Sequence, residues 1–593
     1  MSIIYILTIV LIIGLHMLLF KKEEKQSFFV WLIITMGLLL CYNICISVIL
    51  SFIKLKSTLI TLSIINIITI CLLVMKIYRD KKVQKYYISK IDIISIISIS
   101  AIVLLVAIKQ YGIPMNIKNS ITDASTHYWL ADEFYNYSML LIEENSDVMG
   151  YFNEHAFMPG AYINTGILFK VFSAIVEETY FCKLFIVFES CMWCLSGLLM
   201  YVLLSHNKKE EKQKILPLIF SLIYMLGYPL NTLLSGFSYL QIGLNIIICI
   251  IFVMKQELKQ EYKDILIFLL NFGLMFSYYY FAPVVFLGIL IQKIAEIKKK
   301  NEKIFFAKNV LSIFISLIIP GIFGIMYFVL FQIIKWGLQP QSYFTTVINI
   351  PGGIYQNFVT NVFIFIVTST FYIGYSIKNK KGSFSNKTLI ICIIFLIILF
   401  IGMKIGKVSE YYYYKVYYML WIFVIVVSFK VIELLYKKNK IVTYVGVGIY
   451  CIGIISAITL NKNLLFFDIY EKNFEEIKAN YKLINYKELE ILEYYNKNIN
   501  ADNGFDNNTY IYLSNSEARA RWIYAITKNP YIYLDASWGE FPKDIQQFLD
   551  SEKQYCIIFK QDNSEEIFKN INKMDSFSIL FQNEDGAILK KIN

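Results

Sequence analysis

Asp123 and His127 stand four residues apart in the stretch Asp123-Ala-Ser-Thr-His127-Tyr-Trp-Leu-Ala131. If that stretch is helical, this spacing puts a carboxylate and an imidazole on one face. Such a pair can serve as a general base, a metal ligand or a proton relay. The plainer reading is an amphipathic surface helix anchored by Tyr128 and Trp129, and spacing alone favours it. The surroundings add weight to the chemical reading. Segment 110–160 carries nine Asp, Glu and His residues: Asp123, His127, Asp132, Glu133, Glu143, Glu144, Asp147, Glu154 and His155. A connector of that length inside a compact fold is usually functional. Asp132 and Glu133 lie further along the same stretch and are expected on an ordinary solvated face.

A second cluster is KIGKVSEYYYYKVYY, residues 404–418. Lys404, Lys407, Tyr411, Tyr414, Lys415 and Tyr418 recur at steps of three and four, which on one helix would make a cationic and aromatic stripe. Lys binds phosphate as a point charge. Tyr rings can stack on sugar faces or anchor at lipid headgroups, and the stripe reads equally as an interfacial Tyr belt with snorkelling Lys. A third segment, 336–357, has Gln339, Gln341 and Asn349 among Pro and Gly turns. It suits a substrate-lining loop, although a plain connector explains it better.

The elements that must position these residues are set by lipid. The chain has 593 residues, 57% hydrophobic and 17% charged. Soluble domains run at about 45–50% apolar and about 25% charged, so both departures point to a membrane protein. Fourteen apolar runs are expected as spans: 3–20, 28–50, 57–76, 91–109, 182–204, 214–229, 238–254, 264–276, 279–294, 308–334, 356–376, 388–403, 416–436 and 441–460. The first run has no basic stretch before it and no small-residue cleavage site after it, so it reads as a retained span. The net charge of +12 comes from Lys, since Arg79, Arg519 and Arg521 are the only arginines. No clustered Arg face exists to bind nucleic acid.

Seven short basic loops, at 21–26, 76–85, 206–214, 255–263, 298–303, 378–387 and 437–440, are expected on the cytoplasmic side. One alternating path satisfies all seven under two conditions. Stretch 159–176 must not cross fully, and 264–294 must be two short helices bent near SYYYFAP, residues 277–283. Segments 110–181, 335–355 and 404–415 and everything past about 461 then face outward. The Lys residues of 404–415 therefore lie where orientation rules do not want them.

Of ten cysteines only Cys556 falls past residue 460, so that region has no internal disulfide. Cys191 and Cys194 form a C-x-x-C inside an apolar helix, which reads as helix packing. Residues 461–593 alternate short strands and helices and are expected to form a small α/β domain. Helices are expected at 473–499, 515–529, 542–553 and 564–574, and strands at 509–514 and 555–560, with FSILFQ and AILKKI closing the sheet. Glycine-rich phosphate loops are absent there. Arg519 and Arg521 are expected at the surface or in salt bridges.

The D-x-x-x-H-x-x-x-A pattern of 123–131, the Pro-Gly-x-Tyr opening of 159–162 and the order of many spans followed by an outward C-terminal domain resemble the GT-C superfamily of membrane glycosyltransferases. Pro159-Gly160 stands where those enzymes carry Pro-Pro, and three extra spans precede the acidic loop. The resemblance implies a polytopic domain over 1–460, with the large outer loop 110–160, and an extracytoplasmic domain over 461–593. It implies transfer of a sugar from a polyprenyl-phosphate donor to a cell-envelope glycan or lipid, at the outer face of a bacterial plasma membrane. Asp123 would be the base and His127 its helper, with Lys404, Lys407, Tyr411 and Lys415 on the donor. The residues name no cofactor, and a divalent cation is compatible with them. A polysaccharide polymerase is a close alternative, but those often carry outer-loop Arg. A lipid or polysaccharide transporter would show mid-membrane charge and internal repeats. A non-catalytic scaffold would not need the acidic loop.

Overall fold

The computed structural model describes the chain apart from residues 20–25, 81–83, 119–121, 141–157, 209, 301–302, 328, 330–357, 380–382, 461–467, 480–482, 501–509, 515, 530–543, 563–564, 572–574 and 593. The side chain of Asp123 and the segment 336–357 lie outside the described residues.

The molecule is a polytopic bundle of membrane helices with a smaller α/β part at its C-terminal end. Among the described residues, twelve helical stretches are long and apolar enough to cross a membrane. One of them, Gln260–Ile297, contains two of the fourteen runs. It is built of helices Gln260–Tyr278 and Ala282–Lys300 joined by a 3-10 turn at Tyr279–Phe281. Pro283 enters the first turn of the second helix, where its missing N–H costs nothing. The run at 356–376 is the helix Phe358–Lys378. Helix Gly160–Phe172 has 13 residues. It is about 20 Å long, too short for a hydrocarbon core of about 30 Å, so it stops short of crossing.

Contacts gather the basic loops at one end. Strand β1 (Gln26–Ser27) pairs in parallel with β2 (Tyr86–Tyr87). Lys90 N donates to Glu211 Oε1 at 3.0 Å, Tyr262 Oη shares a hydrogen bond with His16 Nε2 at 2.8 Å, and Lys387 Nζ donates to Gln292 Oε1 at 2.9 Å. Lys430 reaches Ser383 at 2.6 Å, and Lys208 pairs with Glu433. Two buried ion pairs lock the same end. Asp92 takes both its oxygens to Lys214 at 2.8 and 3.0 Å and also accepts from Tyr201 at 2.6 Å and from Ser27. Asp264 Oδ1 accepts from Lys293 at 2.7 Å, Ser312 at 2.5 Å and Gln260 at 2.9 Å.

The opposite end holds helix Thr122–Tyr137 and the C-terminal part together. Strand β3 (Ile117–Lys118) pairs antiparallel with β4 (Leu483–Ile484). Helix Asp468–Lys478 inserts beside a broken span. That span runs as Ile215–Leu226 and Tyr228–Leu234, interrupted at Gly227 and restarted by Pro229. Across the break Asn473 Nδ2 donates to Leu226 O at 3.0 Å and to Gly227 O at 2.8 Å, the latter also accepting from Asn231 N at 3.3 Å. Asn231 Nδ2 donates to Asn473 Oδ1 at 3.0 Å, and Tyr470 Oη donates to Ile223 O at 2.8 Å. A break inside a membrane helix is tolerated only when protein satisfies it in this way.

The predicted helix over 473–499 is two helices, Asp468–Lys478 and Tyr486–Tyr495, separated by β4. Asn485 starts the second with a capping box to Glu488, a stronger local signal than the polar periodicity running through it. The sheet of β5 (Tyr510–Leu513), β6 (Tyr555–Phe559), β7 (Phe577–Asn583) and β8 (Gly586–Lys591) has the order β5-β6-β8-β7. β5 and β6 are parallel, so helices Glu517–Thr527 and Ile545–Asp550 lie in the crossover between them. Arg519 is not at the surface. It is fully buried between Glu488 at 2.7 Å and Asp562 at 2.6 Å. The sheet keeps a small core of its own around Leu513, Phe548, Cys556, Ile558 and Leu589. The main hydrophobic core nevertheless runs without a break from the membrane helices through Tyr128 and Trp129 to Trp522, Phe559 and Ile588.

Candidate functional site

Three separate parts of the chain meet around one buried cation. Lys415 lies in the second turn of helix Glu410–Lys438 and is 2% exposed. Its ammonium donates to Tyr239 Oη at 2.6 Å. It also sits over the rings of Tyr411 at 3.9 Å, Phe237 at 4.6 Å, Tyr239 at 5.0 Å and Tyr278 at 5.9 Å. Rings attract a desolvated ammonium through their quadrupoles. Tyr239 begins the helix Ser238–Lys255, and Tyr278 ends the helix at the SYYYFAP bend. The cage is therefore made where chain turns meet, at the end of the bundle opposite the basic loops.

His127 lies on the other side of Tyr239, its ring edge-on at 4.7 Å. Its Nδ1 shares a hydrogen bond of 2.9 Å with Tyr162 Oη. Tyr162 comes from the Pro-Gly-x-Tyr opening of helix Gly160–Phe172. Gly160 and Gly166 make room for this helix: a side chain on Gly166 would come within 2.8 Å of Ala131 O on helix Thr122–Tyr137. His127 is 2% exposed. Burial, with Lys415 adding to it, lowers its pKa to about 3, so the imidazole is neutral at physiological pH. It can hold or pass a hydrogen bond but does not carry charge.

Tyr278 Oη and Ser238 Oγ are buried and have no hydrogen-bond partner among the described residues. Tyr278 thus carries a hydroxyl without a described partner on a ring whose centroid lies 5.9 Å from the ammonium. A buried polar group without a partner costs free energy and marks a place where an external group can bind.

The other candidates are placed differently. Asp123 is in the first turn of helix Thr122–Tyr137, one turn before His127. Lys404 and Lys407 are exposed, Lys404 at the end of helix Phe384–Lys404 with its ammonium 5.5 Å from the Phe400 ring. The stripe over 404–418 is not one helix. The chain turns at Gly406, with φ of +70°, and restarts at Glu410 under a Ser409 cap. The turn separates Lys404 and Lys407 from Lys415. Of the remaining stripe, Tyr411 joins the cage, Tyr418 turns inward to Asn231, and Tyr414 packs on Tyr413 and Tyr417.

Asp132 and Glu133 are not on a solvated face either. Asp132 is 2% exposed and meets Lys528 at 2.9 Å. Glu133 accepts from Trp129 Nε1 at 2.5 Å, and burial raises its pKa to about 8. The C-terminal part had covered what a solvated helix would expose. Sequence reasoning also missed Phe237, Tyr239 and Tyr278. Their one signal is position: each stands where an apolar run meets an outer turn. Among the described residues no three His, Cys, Asp or Glu side chains converge as a metal site.

No protein-family model matches this chain. No curated protein matches it either. Among solved structures, the chain is similar to ArnT from Cupriavidus metallidurans, crystallised bound to undecaprenyl phosphate, at 10% identity and a TM-score of 0.45, over 84% of this chain and 98% of that one.

Proposed function

We propose that this chain is a membrane glycosyltransferase that takes its sugar from a polyprenyl-phosphate carrier at the outer end of the bundle. One observation carries the reading. The acidic segment, the Pro-Gly-x-Tyr helix and the Tyr-rich stretch, far apart in sequence, are joined in space through His127, Tyr162, Tyr239 and Lys415. A sheltered ammonium with an unused phenol next to it suits a phosphate whose lipid tail stays in the bilayer. The carrier's phosphodiester would sit on Lys415 and Tyr278. An acceptor oxygen attacks the anomeric carbon as its bond to the carrier phosphate breaks, and the anomeric centre inverts. The carrier leaves as the phosphate anion that Lys415 neutralises. Asp123 takes the acceptor proton, and neutral His127, held by Tyr162, orients the acceptor.

The test is made on the full chain in lipid nanodiscs. Undecaprenyl phosphate is the binding probe and undecaprenol its uncharged control. A panel of polyprenyl-phosphate hexoses is the activity probe, read as release of the carrier phosphate. Wild type should bind the phosphate and not the alcohol. Lys415→Met should abolish that preference, and Asp123→Asn should keep binding but lose about 10²–10⁴-fold in turnover, the usual worth of a general base. Equal binding of phosphate and alcohol, or full turnover by Asp123→Asn, would overturn the assignment. Transport of the lipid-linked sugar without carrier release would favour the transporter instead.

A further inference from the structure

Lys528 caps helix Glu517–Thr527 in a left-handed backbone conformation, with φ of 59°. Glycine is the ordinary occupant of such a cap because it has no Cβ to clash. Here the position is given to a long cationic side chain, and the chain uses it across an interface. The ammonium lies 2.9 Å from Asp132 Oδ2 and also bonds Glu178. Asp132 belongs to helix Thr122–Tyr137, and Glu178 to the 3-10 turn that leads into the span Phe181–Ser205. One side chain therefore ties the C-terminal part, the helix that carries His127 and a membrane helix together.

The same interface is built for register. Trp129 stacks on Tyr524 at 4.7 Å and 20°, and Tyr128 lies 5.8 Å from Trp522. His127 and Asp132 are five residues apart, about 140° around the helix at ~100° per residue. The C-terminal part thus grips one face while the other presents His127 to Tyr162 and Tyr239. We propose that Lys528 is a positioning residue, whose bonds to Asp132 and Glu178 fix the rotation of helix Thr122–Tyr137 and with it the placement of His127 toward the acceptor. The proposal rests on the glycosyltransferase reading for its activity readout.

The pairing is sensitive to acid. Asp132 faces Lys528, Glu178, Asn136 and Tyr128, with Glu133 as its chain neighbour. Burial raises its pKa, Lys528 draws it down and Glu178 pushes it up again, leaving it at about 6. Above pH 6 the carboxylate is ionised and the ion pair holds. As pH falls through 6 Asp132 takes a proton, and the pair becomes a weaker neutral hydrogen bond. Turnover by wild type should therefore decline below about pH 6, and the part of that decline due to Asp132 is the part that Lys528→Met removes.

The full chain in nanodiscs tests this with two readouts: carrier-phosphate release across pH 5–8, and amide hydrogen exchange over residues 122–137. Lys528→Met should lower kcat about tenfold with little change in KM for the lipid donor, as a misplaced group does. It should also erase the limb near pH 6 and speed exchange in 122–137. Lys528→Arg should restore all three. Should Lys528→Met fold poorly, Glu178→Gln, which removes the more exposed partner, should give the same pattern in milder form. Unaltered rate, limb and exchange in Lys528→Met, with Lys415→Met inactive, would overturn the coupling and leave the glycosyltransferase reading standing. No carrier release by wild type would sink that reading, and the exchange result alone would then decide the positioning role.

Discussion

The two ends of the bundle bury lysines in opposite ways. At the end where the basic loops meet, Lys214 is matched to both oxygens of Asp92, and Tyr201 and Ser27 fill the remaining lone pairs. At the other end, among the described residues, Lys415 meets a phenol and a set of ring faces, one of them the ring of Tyr278, whose hydroxyl has no described hydrogen-bond partner. A saturated ion pair has nothing left to offer a ligand, and its service is to fix how spans and loops meet. The cage around Lys415 keeps a donor in reserve. Buried charge alone does not mark a site.

This contrast can be broken by substitution. The largest effect on the folded molecule is expected for Asp92→Asn. It strands Lys214 in a buried place, and removing one partner of such a pair costs about 3–5 kcal/mol. Thermal unfolding in detergent should show a strongly destabilised chain, and Asp92→Leu with Lys214→Leu should recover most of the loss. Lys415→Met should by contrast remove phosphate binding while lowering the unfolding temperature less than Asp92→Asn does. If the two single variants lose stability alike, the ends do not differ in kind. The smallest effect is expected for the Lys404→Ala, Lys407→Ala double variant. Both residues are exposed past the Gly406 turn, so they can draw an anionic headgroup toward the bundle but not enclose it. Donor affinity should fall by a few-fold and most of the fall should vanish in high salt, because exposed charges are screened. A loss as deep as that of Lys415→Met would move the site to the hairpin.

Much of this was legible in the sequence because lipid imposes simple rules. Apolar length located the spans, Lys-rich loops sorted the two ends, and SYYYFAP announced the bend that supplies Tyr278. The three segments that meet at the site were each visible as a local anomaly. Their meeting was not, because His127, Tyr239 and Lys415 are linked only by tertiary packing. The error at 404–418 has a local cause: a step of three and four runs on through Gly406, but the chain does not. The errors at Asp132 and Glu133 have a non-local one. A polar residue looks solvated until the element that covers it is known, and for Asp132 that element lies about four hundred residues downstream.

Asn473 adds a dimension of time. The carbonyls it satisfies at Leu226 and Gly227 are made 247 and 246 residues before it. During synthesis the broken span therefore enters the membrane before the side chain that bonds these carbonyls exists, and waits for most of the chain. This end of the bundle can reach its mature form only after the helix Asp468–Lys478 has docked. A chain stopped at residue 460 should insert its spans yet leave the break at Gly227 open to water, readable as cysteine-reagent labelling of a Leu230→Cys probe that is shielded in the full-length protein. Labelling that is equally slow in both chains would mean that the break closes without its cap.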